Sequence, residues 1–195
     1  MDTILPLLGF AVAASITPGP NTLMVGAMSA AGGWRGTLPA MLGISLGFMA
    51  LLMVAALGLA APLAASPTLQ AALRWAGVAW LLYLAWKIGR APAPEPGVAP
   101  RGYGFLGDAG FQWVNPKAWT VALAAVPAFA LPGEGALATG LRIALVFGVV
   151  SLPCLAVWAG IGQGAGRLLR TPRAWRRFNL AMGLLLAASV LPLLR

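Results

Sequence analysis

The chain has 195 residues, 60% hydrophobic and only 9% charged, with a mean hydropathy of +0.86. Soluble domains carry about 25% charged residues, so this composition excludes an ordinary soluble fold and points to a bilayer. A net charge of +9 would suggest nucleic acid in a soluble protein; here the basic residues stand at the ends of apolar runs, where they report topology and contact with anionic lipid heads, and no nucleic-acid partner is expected.

Apolar stretches long enough to cross a bilayer, about 20 residues each, fall near 4–30, 37–61, 69–89, 104–130, 137–161 and 177–194. No basic region precedes the first, and no small-residue cleavage site follows it, so it reads as a permanent span rather than a signal peptide. Thr17-Pro18-Gly19-Pro20-Asn21 interrupts it, and Gly32 to Gly36 leads to the second span. Gly43 and Gly47 there form a GxxxG pair, a spacing that lets helices approach closely. Pro62 to Pro67 precedes the third span, whose Trp75, Trp80, Tyr83 and Trp86 suit interfacial belts and bundle packing. The proline-rich linker 91–103 is expected to be extended. Asn115-Pro116-Lys117 breaks the fourth span, and Leu131 to Ala136 leads to the fifth. That span carries two more GxxxG pairs, Gly160 with Gly164 and Gly162 with Gly166, and some of these glycines are candidates to face a partner subunit. An arginine-rich stretch, 167–177, precedes the sixth.

Nine basic residues follow spans one, three and five: Arg35, Lys87, Arg90, Arg101, Arg167, Arg170, Arg173, Arg176 and Arg177. The opposite side has three, Arg74, Arg142 and Arg195, with Asp2 and Glu134. The positive-inside rule then places both termini outside. The expected fold is all-α: one transmembrane domain over 1–195, with six helices as two inverted three-helix repeats, about 1–90 and 104–195. Helices 1 and 4 are expected to be broken.

The breaks carry the function. They lie 98 residues apart, and Leu8-Gly9 precedes Pro18 as Leu106-Gly107 precedes Pro116. Proline inside a helix removes a donor and clashes with the preceding turn, at about 3 kcal/mol. In hydrocarbon such a break must be buried in protein or line a cavity, and paired interrupted helices mark a transporter's binding site. Gly19 between two prolines can adopt angles closed to other residues. A helix restarting at Pro20 or Asn21 offers a partly positive end to an anion, and Thr17 and Asn21 add polar groups. The plain alternative is a proline kink. Lys117 lies near the centre of span four, where a charge costs from about 3 kcal/mol upward. It either attracts a substrate carboxylate, with Asn115 orienting it, or ties down broken-helix carbonyls. Asp108 either takes up a proton or complements a helix start at the interface. Gln112, one turn on, extends a polar path.

Enzymatic hydrolysis is not expected. Gly43-Ile44-Ser45-Leu46-Gly47 fits the G-x-S-x-G nucleophile elbow, but inside an apolar helix, and the chain has no histidine to act as base. No Walker loop or HExxH appears, and no cofactor or metal site is expected. Cys154, the single cysteine, says nothing about compartment.

The chain resembles the LysE superfamily of amino-acid exporters, in its RhtB (homoserine/threonine) branch. The resemblance rests on Thr17-Pro18-Gly19-Pro20-Asn21, on Gly33-Trp34-Arg35-Gly36 followed by Leu42 to Gly47, on Arg74 to Leu84, and on Phe105 to Gly110 with Asn115-Pro116-Lys117-Ala118. It covers essentially the whole chain, with the motifs in order. It implies a small inner-membrane protein that exports amino acids or close metabolites on the proton motive force, with its two breaks facing one another. The chain departs from many relatives in lacking histidine, which leaves Asp108, or the substrate's own ionisation, to carry the proton.

The sequence therefore predicts a secondary exporter of a small zwitterionic amino acid, with protons and membrane lipids as its other partners and the oligomeric state open. Its predicted substrate site is Thr17, Pro18, Gly19, Pro20, Asn21, Asn115, Pro116 and Lys117. Two rivals are a metal-ion exporter, poorly served by one aspartate and one cysteine within the spans, and a non-transporting membrane scaffold, which needs no polar cluster at mid-depth.

Overall fold

Residues 4–59, 62, 65–94 and 104–194 are described by a computed structural model of the chain. The linker residues 95–103, the N-terminal Asp2 and the C-terminal Arg195 lie outside them. The described residues form α-helices without strands: α1 (Ile4–Ile16), α2 (Pro20–Val54), α3 (Pro67–Gly89), α4 (Gly104–Phe111), α5 (Pro116–Phe129), α6 (Ala136–Leu168) and α7 (Pro172–Ala188). A π-helical turn, Ala55–Leu59, extends α2, and a 3-10 turn, Leu191–Leu194, follows α7.

Four helices begin at a proline, the position where a missing N–H does least harm. Three of these starts are capped by the preceding side chain: Ser66 Oγ accepts from Leu69 N at 3.2 Å, Asn115 Oδ1 from Lys117 N at 3.1 Å, and Thr171 Oγ1 from Ala174 N at 3.1 Å. The last cap corrects an expected boundary. The arginine-rich stretch is mostly helix, because Pro172 starts α7 early and α6 runs to Leu168, leaving only 169–171 between them.

Pro20–Gly58 and Ala136–Leu168 are long and apolar enough to cross a membrane. Thirty-nine residues of straight helix would span about 58 Å, far more than a hydrocarbon core of about 30 Å. The expected connection at Gly32 to Gly36 is not a separate loop but a reversal inside α2, at Gly33 with φ 72° and ψ 166°. Only glycine adopts such angles readily.

The packing along α6 shows the reversal. Gly162 packs on the Gly26 carbonyl and Gly166 on that of Ala30, so numbers rise together. The same direction holds for α1, where Phe10 meets Phe147 and Ile16 O accepts from Trp158 Nε1. Thus α1 and the first part of α2 form one interrupted rod parallel to α6. Beyond Gly33 the order inverts: Ser45 meets Ser151, Met49 lies at Gly148, and Met53 and Ala56 lie at Gly140.

The other helices extend this pattern. α4 runs parallel to the second part of α2, with Phe105 over Gly43 and Ala109 over Gly47. α5 runs antiparallel to α1, since Lys117 reaches Thr17 while Phe129 meets Phe10. α3 and α7 are also antiparallel, with Gly183 against Ala85 and Gly89, and Leu180 against Gly89. Small residues permit these approaches: a Cβ at Gly47 would stand 2.5 Å from the Ala109 carbonyl oxygen. Gly160 and Gly164 meet nothing within 4 Å, so their pair plays no part in internal packing.

Two apolar clusters flank the centre. One joins Leu7, Leu51, Ala122, Ile143 and Phe147; the other joins Leu23, Met41, Leu81, Leu84 and Leu186.

Candidate functional site

The first break occupies 17–19, between α1 and α2, and the second 112–115, between α4 and α5. They lie against each other. Lys117 Nζ donates 2.9 Å to the Thr17 carbonyl, one of the groups that the end of α1 leaves without a helical partner. The ammonium also complements the negative end of the α1 dipole. Its side chain crosses Gly19, where a Cβ would lie 3.0 Å from both Cδ and Nζ. Gly19 is therefore the floor on which the lysine lies.

Beside it three amides interlock. Asn21 Nδ2 donates to Gln112 Oε1 at 2.9 Å, and Gln112 Nε2 returns a bond to Asn21 Oδ1 at 3.2 Å and also reaches the Asp108 carbonyl at 3.1 Å. Asn115 Nδ2 points at Asn21 Oδ1, 3.4 Å away, while its own oxygen caps α5. Thr22 closes the start of α2, accepting from Gly19 N at 2.9 Å and donating to Gly19 O at 3.0 Å. Buried amides need such partners.

These groups form the polar end of a cavity of about 60 Å³, lined there by Gly19, Asn21, Gln112, Asn115 and Lys117. The remainder is mostly apolar, with Ile44, Phe48, Val121, Phe147 and Leu155, and the hydroxyl of Ser151. Ser151 Oγ is 2.8 Å from Ser45 Oγ, which joins α6 to the second part of α2. A single cation set among amides and apolar walls can hold a carboxylate at one end and a short side chain at the other.

Of the residues singled out from sequence, Gly19, Asn21, Asn115 and Lys117 meet at this cavity. Thr17 contributes only its backbone carbonyl, because its hydroxyl turns back to the Ala13 carbonyl and the residue is exposed. Pro18 is exposed, and Pro20 and Pro116 start helices instead of lining the cavity. Pro116 packs behind it, where a Cβ on Gly77 would stand 2.6 Å from Pro116 Cγ. Asp108 does not line the cavity either. It is fully buried, and neither carboxylate oxygen has a hydrogen-bond partner among the described residues.

Sequence reasoning placed Gln112 only on a polar path, whereas it is the hub of the amide cluster. Its spacing from Asp108 and Asn115, four and three residues, was the available signal. Ser15, which lines the cavity, had none, nor did Ser151 and Trp158, whose partners are distant in sequence.

The LysE type translocator family model matches residues 12–194. The cysteine/O-acetylserine efflux protein of Salmonella paratyphi A is 32% identical over 173 residues, which is 88% of this chain and 87% of that protein. Its counterpart in Escherichia coli K12 is 30% identical over the same length, with the same shares covered. No solved structure matches the chain. With a family match over nearly its whole length, and two proline-broken helices meeting at an amide and lysine cavity, the chain belongs to the LysE type translocators.

Proposed function

We propose that the protein is a six-span secondary exporter of the RhtB branch, carrying a small zwitterionic amino acid out of the cytoplasm. The inner membrane is its location, with both termini outside. Cysteine and O-acetylserine, named for its relatives, are the first substrates to test. One observation carries the reading: Lys117 bridges both breaks and lines an otherwise uncharged cavity. A substrate carboxylate replaces the Thr17 carbonyl as the partner of Nζ, exchanging a neutral acceptor for an ionic one. The Asn21, Gln112 and Asn115 amides orient it, and the freed Thr17 carbonyl faces the substrate ammonium.

The pairing of helices supports two inverted three-helix repeats. Each helix of the first half meets its counterpart in the second in antiparallel sense: Thr17 with Lys117, Ser45 with Ser151, Ala85 with Gly183. Such self-pairing is what a two-fold axis in the membrane plane requires. Asp108 is the proposed proton carrier, since it is a buried carboxyl one turn from the Gln112 hub.

The test is export of labelled cysteine and O-acetylserine from vesicles. Lys117→Ala should lower export about 10- to 150-fold, the loss of a charge-assisted hydrogen bond of about 1.5–3 kcal/mol. Lys117→Arg, which keeps the charge but not the point geometry, should retain part of it. Export by Lys117→Ala at the parental rate sinks the proposal.

A further inference from the structure

The cavity has a stop on one side. Phe48 and Phe147 form its wall, and their rings meet edge-on at 5.3 Å. Phe147 meets Phe10 edge-on at 6.2 Å, and Phe10 lies 5.5 Å from Phe129, the last residue of α5. Four rings thus run in file from the cavity to the connection at 130–135. Just beyond, Arg142 Nη2 donates 2.7 Å to the Phe129 carbonyl. The same guanidinium grips Glu134 through Nη2 at 2.6 Å and Nε at 3.0 Å, and Thr139 donates to that carboxylate at 2.8 Å.

Two features separate this file from ordinary core packing. Its rings come from four different helix segments, Phe10 and Phe48 from the first half and Phe129 and Phe147 from the second, so it crosses the seam between halves. It also ends in a half-buried ion pair, a contact that can be broken and remade where water reaches it. An apolar file is impassable to a zwitterion, because each polar group would lose its hydration without gaining a partner.

Resting on the exporter reading above, we infer that the file Phe48–Phe147–Phe10–Phe129 and its Arg142–Glu134 clasp form the gate on the Glu134 face. The rings seal the path, and the clasp holds the last of them by its carbonyl. Passage to that face requires α1 and α5 to part, which separates Phe10 from Phe129, and Arg142 to release the Phe129 carbonyl.

The barrier itself can be read without substrate. Ser15 lines the cavity, so Ser15→Cys in a Cys154→Ala background reports its accessibility to a membrane-impermeant methanethiosulfonate. Labelling is measured in sealed vesicles of both orientations, with efflux of labelled O-acetylserine and the standard amino acids followed in separate, untreated aliquots of the same preparations. Arg142→Gln and Phe129→Ala should each raise labelling from the Glu134 face at least tenfold, with Arg142→Lys between them and the parent. Labelling from the other face should stay within twofold, which also shows that the variants fold. Equal labelling from the Glu134 face in all four proteins overturns the gate, as does labelling from neither face. Faster labelling in the gate variants without export of any amino acid by the parent would leave the barrier in place and sink the exporter reading instead.

Discussion

At position 117 an ammonium group sits between two interrupted helices, and both depend on it. It satisfies the end of α1 through the Thr17 carbonyl and lies across Gly19 at the start of α2. Gly19→Ala would push against a flexible side chain 3.0 Å away, so the fold should survive while Lys117 is displaced. Export should fall severalfold with little change in unfolding temperature, a split that a purely structural glycine would not give. Gln112→Leu tests the amide hub differently. It leaves Asn21 and Asn115 short of partners, at about 1–3 kcal/mol, so detergent unfolding should shift down along with export. At Glu134 the Arg142 hydrogen bonds, with Thr139 adding to them, pull the carboxyl from 4.5 to about 2. A depressed acid stabilises the fold fully above its unfolded value and loses that contribution as pH falls through the folded one. The unfolding midpoints of the parent and Glu134→Gln should therefore differ by a constant amount above about pH 5 and converge towards pH 2. Lys117, Asn115 and the prolines were legible in the sequence because a charge or a lost donor is expensive in hydrocarbon. Gln112 was less so, since an amide's weight depends on what the fold brings opposite it.

Among the helices, glycine placement decides how closely rods approach. Gly162 and Gly160 share α6, but the first lies against the Gly26 carbonyl and the second meets nothing within 4 Å. The same substitution to alanine should accordingly destabilise by about 1–3 kcal/mol at 162 and change stability by under about 0.5 kcal/mol at 160. Equal effects would mean that the two helices do not touch there. From sequence the three GxxxG pairs looked alike, because spacing does not say which face of a helix meets a neighbour. Both broken helices were legible, since proline at a helix interior leaves few choices. A connection was expected at Gly32 to Gly36; a single glycine with positive φ, Gly33, makes it without a loop, and no sequence rule separates the two forms. The start of α7 was readable in Thr171-Pro172, a cap followed by a proline, yet the arginines beside it suggested a longer connection.

For the molecule as a whole, the proposed coupling rests on Asp108, fully buried on the side of α4 that carries the second break. Asp108→Asn should remove the response of export to an imposed pH gradient at least tenfold, while exchange of labelled for unlabelled substrate continues. A gradient response that persists would leave the substrate's own ionisation as the carrier. The antiparallel contact of the two interrupted rods has a mechanical consequence. Two beams that rest on a shared fulcrum without crossing behave as a clothes-peg: a rotation that spreads one set of tips brings the opposite set together. On the proposed exporter reading, no timing device is then needed to stop both mouths from gaping at once, because such a lever forbids it.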